Sequence, residues 1–212
     1  MNKNLPLSNI VVLDLTNVLS GPFATQILSD LGAEIIKVEK PNGDDSRKFG
    51  PFIKKRSSYF ISLNRGKKSI VVDFNNEEDK KIFKKLLAIS DVIIDNFKPG
   101  TLEKYGFSSS YLKKNFPLLI QTKISGFGET GPLKENPAYD MIVQAMGGIM
   151  SITGKNKNET YRVGSSIGDI VAGLYAVIGV LTQIIFRNQS KKGSRLDLRS
   201  EEHTSELQSP MY

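Results

Sequence analysis

Apolar positions in this chain fall into short continuous runs, separated by stretches with helical spacing. Ile10-Val-Val-Leu-Asp-Leu15 is such a run, rich in β-branched residues, of the kind that forms a strand buried on both faces. Beyond the loop Thr16–Gly21, Pro22 suits a first helical position. Phe23, Ile27, Leu28 and Leu31 then recur at helical spacing, and Gly32 suits a stop. Glu34-Ile-Ile-Lys-Val-Glu39 predicts the next strand, so the chain up to Glu39 reads β-α-β with parallel strands. Pro41–Ser58 reads as a polar loop, and Tyr59–Leu63 and Ser69–Phe74 as two short strands. Asn76 can cap a helix whose first turn holds Glu77, Glu78 and Asp79 and whose buried stripe is Ile82, Phe83, Leu86 and Leu87. Further strands are expected at Asp91–Asp95 and Leu118–Lys123, with short helical segments near 101–105 and 109–115 between them. A Gly/Pro loop spans 125–138, helical spacing resumes over Tyr139–Met150, and a polar stretch covers Thr153–Val163. A long helix then runs from about Asp169 to Arg187. The alternation predicts an α/β fold: a mostly parallel sheet with flanking helices and no interdomain linker.

Composition narrows the chemistry. The chain has 212 residues, 39% of them hydrophobic and 24% charged, as an ordinary globular chain has. It has no cysteine, which excludes disulfides, zinc–thiolate sites and thiol catalysis and fits a cytoplasmic setting. The start, Met1-Asn-Lys-Asn-Leu-Pro, lacks the apolar stretch of a secretory signal. The one histidine, His203, sits in Arg199-Ser-Glu-Glu-His-Thr-Ser-Glu-Leu-Gln-Ser209, which resembles an in-frame translation of a sequencing-adapter oligonucleotide. Residues 199–212 are therefore expected to be an artefactual or disordered tail, and 1–198 a single incomplete domain. The tail holds one Arg and three Glu against a whole-chain charge of +7, so the body carries +9 and no histidine. Ser-His-Asp triads, histidine metal sites and histidine bases are excluded from the body, and no metal is expected. A positive body favours an anionic partner such as phosphate. Nucleic acid is not expected, because no basic run exceeds Lys54-Lys55-Arg56 and RNA-binding aromatic signatures are absent.

Several motifs are weaker than they look. Gly126-Phe-Gly-Glu-Thr-Gly131 matches the dinucleotide fingerprint and follows a strand. Pro132 and Pro137 bracket what should be its helix, however, and no acidic residue stands about 20 positions downstream, so a Gly-rich turn is expected. Gly66-Lys67-Lys68-Ser69 lacks the first glycine of a Walker A loop. Ile170–Phe186 is apolar enough to suggest a membrane span. Its two glycines and its place in an α/β chain favour a central helix buried on most sides, with no membrane partner.

Asp169 stands at the mouth of that helix, in Gly164-Ser-Ser-Ile-Gly-Asp-Ile-Val-Ala-Gly173. It can serve as an N-terminal cap. It can equally serve as a carboxylate nucleophile, which needs no histidine to activate it and has helix N–H groups nearby for developing negative charge. Ligands of open parallel sheets bind beyond the carboxyl ends of the strands, here Thr16–Ser20, Lys40 and Asn96-Phe97-Lys98, with Lys104 close behind. Together these offer helix N–H groups, cations and an aromatic face, as a nucleotide with several phosphates needs.

These residues jointly resemble the class III coenzyme A-transferases, of the formyl-CoA and carnitine CoA-transferase type. The similarity rests on Val12-Leu-Asp-Leu15, Gly21-Pro22, Leu31 to Glu39, Asn64 to Ser69, Asp95-Asn-Phe-Lys-Pro-Gly100, Ser125-Gly-Phe-Gly128, Ala138-Tyr-Asp140, Gly168-Asp169 and Lys192 to Asp197. It covers residues 5–198. The resemblance implies a Rossmann-like large domain, cut before the family's small domain, from a protein that forms an interlocked homodimer. It implies coenzyme A as substrate, with acyl-CoA and carboxylic acids exchanged through aspartyl anhydride and aspartyl-CoA thioester intermediates on Asp169. It places Val18, Leu19, Ser20, Lys40, Val72, Asn75, Asn96, Phe97, Lys98, Lys104 and Tyr139 against coenzyme A, with an acidic neighbour at Asp140. Leu19 and Asn75 depart from the polar and basic residues of the formyl-transferring branch, which argues against oxalate or formate. No histidine stands near Tyr139, which argues against the related racemases. The chain is expected to be inactive alone, since water would reach any activated acyl group. A non-catalytic CoA- or nucleotide-binding module, with Asp169 as a cap, is the alternative.

Overall fold

The computed structural model describes residues 5–136, 138–156 and 158–200; most of the adapter-like tail, His203 included, lies outside them. The first apolar run forms strand β1 (Val11–Asp14), followed by helix α1 (Ser20–Asp30) and strand β2 (Glu34–Glu39). A 3-10 turn at Asp45–Lys48 leads into a small hairpin, β3 (Phe52–Ile53) and β4 (Arg56–Ser57), then α2 (Ser58–Asn64) and β5 (Lys68–Val71). Next come α3 (Glu77–Ala88), β6 (Val92–Asp95), α4 (Thr101–Lys104), α5 (Ser109–Asn115) and β7 (Ile120–Ser125). The chain continues through α6 (Asp140–Met146), α7 (Ile149–Thr153), the long α8 (Ile167–Ser190) and β8 (Arg195–Arg199).

Six strands pair in parallel in the order β5-β2-β1-β6-β7-β8. The chain starts in the middle, builds outward through β2 to β5, then crosses back to β6 and builds the other way. This is the doubly wound, Rossmann-like order, and it opens a crevice beyond the carboxyl ends of β1 and β6, where the strand order reverses. Alternate strand residues feed two cores, which explains the continuous apolar runs. Val12, Ile35, Val92, Ile94 and Ile120 face α1 and α8, whereas Leu13, Ile36, Ile93 and Leu119 face α3, α4 and α5.

Helices α1 and α8 approach closely through small residues. A Cβ on Gly173 would lie 2.8 Å from the Ser20 carbonyl oxygen and 2.9 Å from Phe23 Cδ1, so glycine there brings the start of α8 against the start of α1.

Four expectations need correction. Tyr59–Leu63 is not a strand; it lies in α2, because Ser57 Oγ accepts the Phe60 N–H at 3.0 Å and caps a helix. The helical spacing over Tyr139–Met150 is broken at Gly147 and Gly148, where Gly148 takes φ 76° and separates α6 from α7. Strand β8, on the sheet edge, was not expected at all, and it extends to Arg199 by pairing with Ser125. Helix α8 is not buried on most sides. Ala172, Ala176, Val177, Val180 and Ile184 pack inward, but Leu174, Tyr175, Ile178, Ile185 and Phe186 form an exposed apolar stripe. By length and composition α8 is also sufficient to cross a membrane, although its inner face is packed on the sheet and α1.

Candidate active site

The crevice between β1 and β6 is built on buried charge. Asp14, the last residue of β1, is fully buried and accepts from Thr16 N (2.9 Å), Thr16 Oγ1 (2.5 Å), Thr25 Oγ1 (2.7 Å) and Lys67 Nζ (3.1 Å). Burial pushes this carboxyl up, but the Lys67 and Lys37 ammonium groups and the hydroxyl donors outweigh it and hold it well below the usual range. Lys67 Nζ also reaches the Pro22 carbonyl, Thr25 Oγ1 and Asn64 Oδ1, at 3.0, 2.7 and 2.9 Å, tying α2 to α1. Lys37 Nζ donates to the Thr16 carbonyl (2.7 Å) and pairs with Asp44 Oδ2 (2.9 Å). Across the crevice, Asn17 N donates to Asn96 Oδ1 and Asn96 Nδ2 donates to Asn17 O, both at 2.9 Å. The first residues of the loop, Thr16 and Asn17, are thus clamped from both sides of the crevice, and Val18 is held at φ 69°, a strained position for a β-branched residue.

The start of α8 closes the other wall. Asp169 lies in the first turn but does not cap the helix, as one sequence reading allowed. The cap comes from α6: Asp140 Oδ1 accepts Gly168 N at 2.9 Å and Asp169 N at 3.5 Å. Among the described residues, none donates a hydrogen bond to the Asp169 carboxylate. Burial, and then the charge of Asp140, push that carboxyl up to about 6. It therefore remains mostly ionised at pH 7, although less acidic than the sequence alone implied. Burial raises the Tyr59 hydroxyl, and the Asp169 charge adds to it, which places Tyr59 of α2 within electrostatic reach of the same carboxylate.

A cleft of about 430 Å³ is lined by Val18, Leu19, Ser20, Asn96, Lys98, Tyr139 and Asp169, all of them predicted site residues. Asn17, Asp45, Ser125 and Asp140 line it too. The remaining predicted residues lie at the same carboxyl edge but outside the cleft. Lys40 follows β2 and pairs with Asp45 at 2.8 Å, both half-exposed, an ion pair weak enough to exchange for a phosphate. Val72 is core, its N–H donating to the Glu39 carbonyl at 2.9 Å. Asn75 is exposed and bonds Asp73 Oδ1 at 3.0 Å. Phe97 packs against the α3 side of the core, and Lys104 is exposed on α4.

The Gly126–Gly131 segment is a turn, as expected, rather than a helix-opening loop. A Cβ on Gly126 would collide with Ala138 Cβ at 2.0 Å.

Sequence reasoning placed Asn17 only within the Thr16–Ser20 loop, and it missed Asp45 and Tyr59. The Ser57 capping position was the available signal for Tyr59, since it turns the following segment into a helix whose first turn carries Tyr59.

The doubly wound sheet, its switch-point crevice and the half-buried Asp169 carboxylate define an α/β protein with a candidate site at the carboxyl edge of its sheet. The sequence pattern of CoA-transferase family III matches residues 7–212. The chain belongs to that family. It is 45% identical over 195 residues to the acetyl-CoA:oxalate CoA-transferase of Acetobacter aceti, covering 91% of this chain and 50% of that protein. It is 41% identical over 199 residues to the human succinyl-CoA:glutarate CoA-transferase, covering 93% of this chain and 45% of that protein. The crystal structure of a CAIB/BAIF family protein from Brucella suis matches with TM-score 0.93 and 42% identity, over 98% of this chain and 56% of that one. A hypothetical protein from Mycobacterium tuberculosis matches with TM-score 0.90 and 31% identity, over 98% of this chain and 58% of that one. The chain spans about half the length of the curated relatives it matches.

Proposed function

We propose that this chain is the coenzyme A-binding and nucleophile-bearing part of an acyl-CoA:carboxylate CoA-transferase. The observation that carries the reading is the meeting of Asp169 with the loop Asn17–Ser20 and with Asn96 and Lys98 in one cleft at the switch point of the sheet. Asp169 attacks the thioester carbonyl of an acyl-CoA, forming an aspartyl–acyl anhydride and releasing the CoA thiolate. The thiolate attacks the aspartyl carbonyl, giving an aspartyl-CoA thioester and the free donor carboxylate. An acceptor carboxylate attacks that thioester, giving a second anhydride and the thiolate again. Attack of the thiolate on the acceptor's acyl carbon then frees the new acyl-CoA and restores Asp169. The nucleotide end of coenzyme A runs along the carboxyl edge of the sheet past Lys98 toward Lys40, Asn75 and Lys104.

Relatives named for oxalate, glutarate and mesaconate share 45%, 41% and 38% identity with this chain. That spread of acids over similar identities supports a shared half that reads coenzyme A and the acyl carbonyl, with the choice of acid made elsewhere. The family-length protein is proposed as a homodimer, and the exposed apolar stripe of α8 supports a covering partner there. The 212-residue chain alone is proposed to bind coenzyme A without turning over, because its cleft is open to water.

Titration calorimetry of the chain with coenzyme A is expected to give saturable one-site binding that weakens as salt rises. Binding that is absent at low salt would overturn the reading, and steady-state transfer by the chain alone would overturn its inactivity.

A further inference from the structure

Helix α8 begins without help from its own N-cap: Ser166 makes no side-chain capping bond. The first N–H groups of a helix need acceptors, and here a residue 28 positions earlier in the chain supplies one. Asp140 Oδ1 takes the Gly168 N–H at 2.9 Å, and its other oxygen, Oδ2, accepts from Gln144 Nε2 at 2.7 Å. Gln144 stands one turn after Asp140 on α6 and is fully buried. Its amide is used at both ends. Nε2 also reaches the Ser165 carbonyl at 3.3 Å, and Oε1 accepts the Val163 N–H at 2.8 Å. One side chain therefore grips the segment entering α8 at two points and fixes the carboxylate that caps it. Gly168 permits the close approach, since a Cβ there would lie 2.9 Å from Val143 Cγ1 and 3.2 Å from Asp140 Oδ1.

We propose that Gln144 is a positioning residue: it holds the Asp140 carboxylate on the first N–H groups of α8, and so fixes the place of Asp169 and the negative charge beside it. The inference rests on Asp169 as nucleophile. A cap built from Asp169 itself would tie up the reacting oxygens. A cap borrowed from α6 leaves them free, and a neighbouring like charge keeps the carboxylate from being over-stabilised in its resting state. The charged and titratable groups around Asp169 are Asp140 from α6, Tyr59 from α2, and Lys98 and Asp45 from the loops lining the cleft.

The test is a carbon-detected NMR titration of the Asp169 carboxyl in the 212-residue chain, alongside the Gly168 amide resonance. Asp140→Asn keeps the shape and removes the charge, and should lower the Asp169 midpoint by about one pH unit. Gln144→Leu frees Asp140, and should lower that midpoint in the same direction and move the Gly168 amide. Gln144→Glu should move the amide at neutral pH and return it toward wild type on acidification, when a proton shared with Asp140 rebuilds the bond. A folded Gln144→Leu chain with both signals at their wild-type values overturns the proposal. Should that variant fail to fold, an unmoved Asp169 midpoint in Asp140→Asn, or an amide in Gln144→Glu that never moves, overturns it equally. A family-length protein that forms no acyl adduct on Asp169 would refute the nucleophile reading while leaving these titrations as they are.

Discussion

Asp169→Asn, placed in a family-length protein, is expected to reduce CoA transfer by about 10⁴-fold or more, the scale of losing a covalent nucleophile. The substitution changes one oxygen to nitrogen in a side chain that receives no hydrogen bond from the described residues and does not cap α8, so fold and coenzyme A affinity should persist. Hydroxylamine added with succinyl-CoA should convert Asp169 to a hydroxamate in the parent and leave the variant unmodified, read by peptide mass spectrometry. The parent's kcat/KM should rise with pH around the Asp169 midpoint of about 6, since only the ionised carboxylate attacks. Transfer that survives in Asp169→Asn would reduce the residue to scaffold and leave the chain a binding module.

The second large effect is on stability. Lys67→Met removes the main counter-charge of Asp14, whose side chain is 0% exposed. Breaking one partner of a buried pair costs about 3–5 kcal/mol, to be read from the midpoint of urea unfolding at pH 7. The pair is worth less than that penalty, so Asp14→Leu combined with Lys67→Met should recover much of the loss. The pH dependence follows from the same charges. Asp14 and Glu39 both have folded values below their unfolded ones, Glu39 at about 2, where the Arg47, Ser69 and Asp44 N–H donors outweigh burial. Their contribution is therefore present above the ordinary carboxylate range and is lost as pH falls toward those lowered values. In Lys67→Met the Asp14 carboxyl should protonate more readily, so the penalty should shrink in mild acid. A variant as stable as its parent at pH 7 would mean that the four bonds to Lys67 are replaceable by water.

Much of this architecture can be read from the residues, and for a physical reason. Strands β1, β2 and β6 are buried on both faces, so they appear as unbroken apolar runs, and their order with α1 gives the parallel unit directly. Asp169 and the Thr16–Ser20 loop were legible because each sits at a strand or helix terminus that the pattern marks. Helix α2 was not, because five residues of mixed apolar character fit either period, and the cap at Ser57 decided it. Edge strand β8 was overlooked because the other strands were read from continuous apolar runs, whereas β8, paired on one side only, shows the alternation of a half-exposed strand, with Arg195, Asp197 and Arg199 between leucines. The link from Gln144 through Asp140 to α8 joins residues far apart in sequence, and only the fold brings them together.

The concealment of Lys37 and Lys67, each with a side chain about 1% exposed, reaches beyond the crevice. An amine-directed acylating reagent would mark Lys98 and Lys104 while sparing these two as long as the fold is intact. Lysine chemistry can therefore report when this crevice comes apart, without a bound ligand or an assay of turnover.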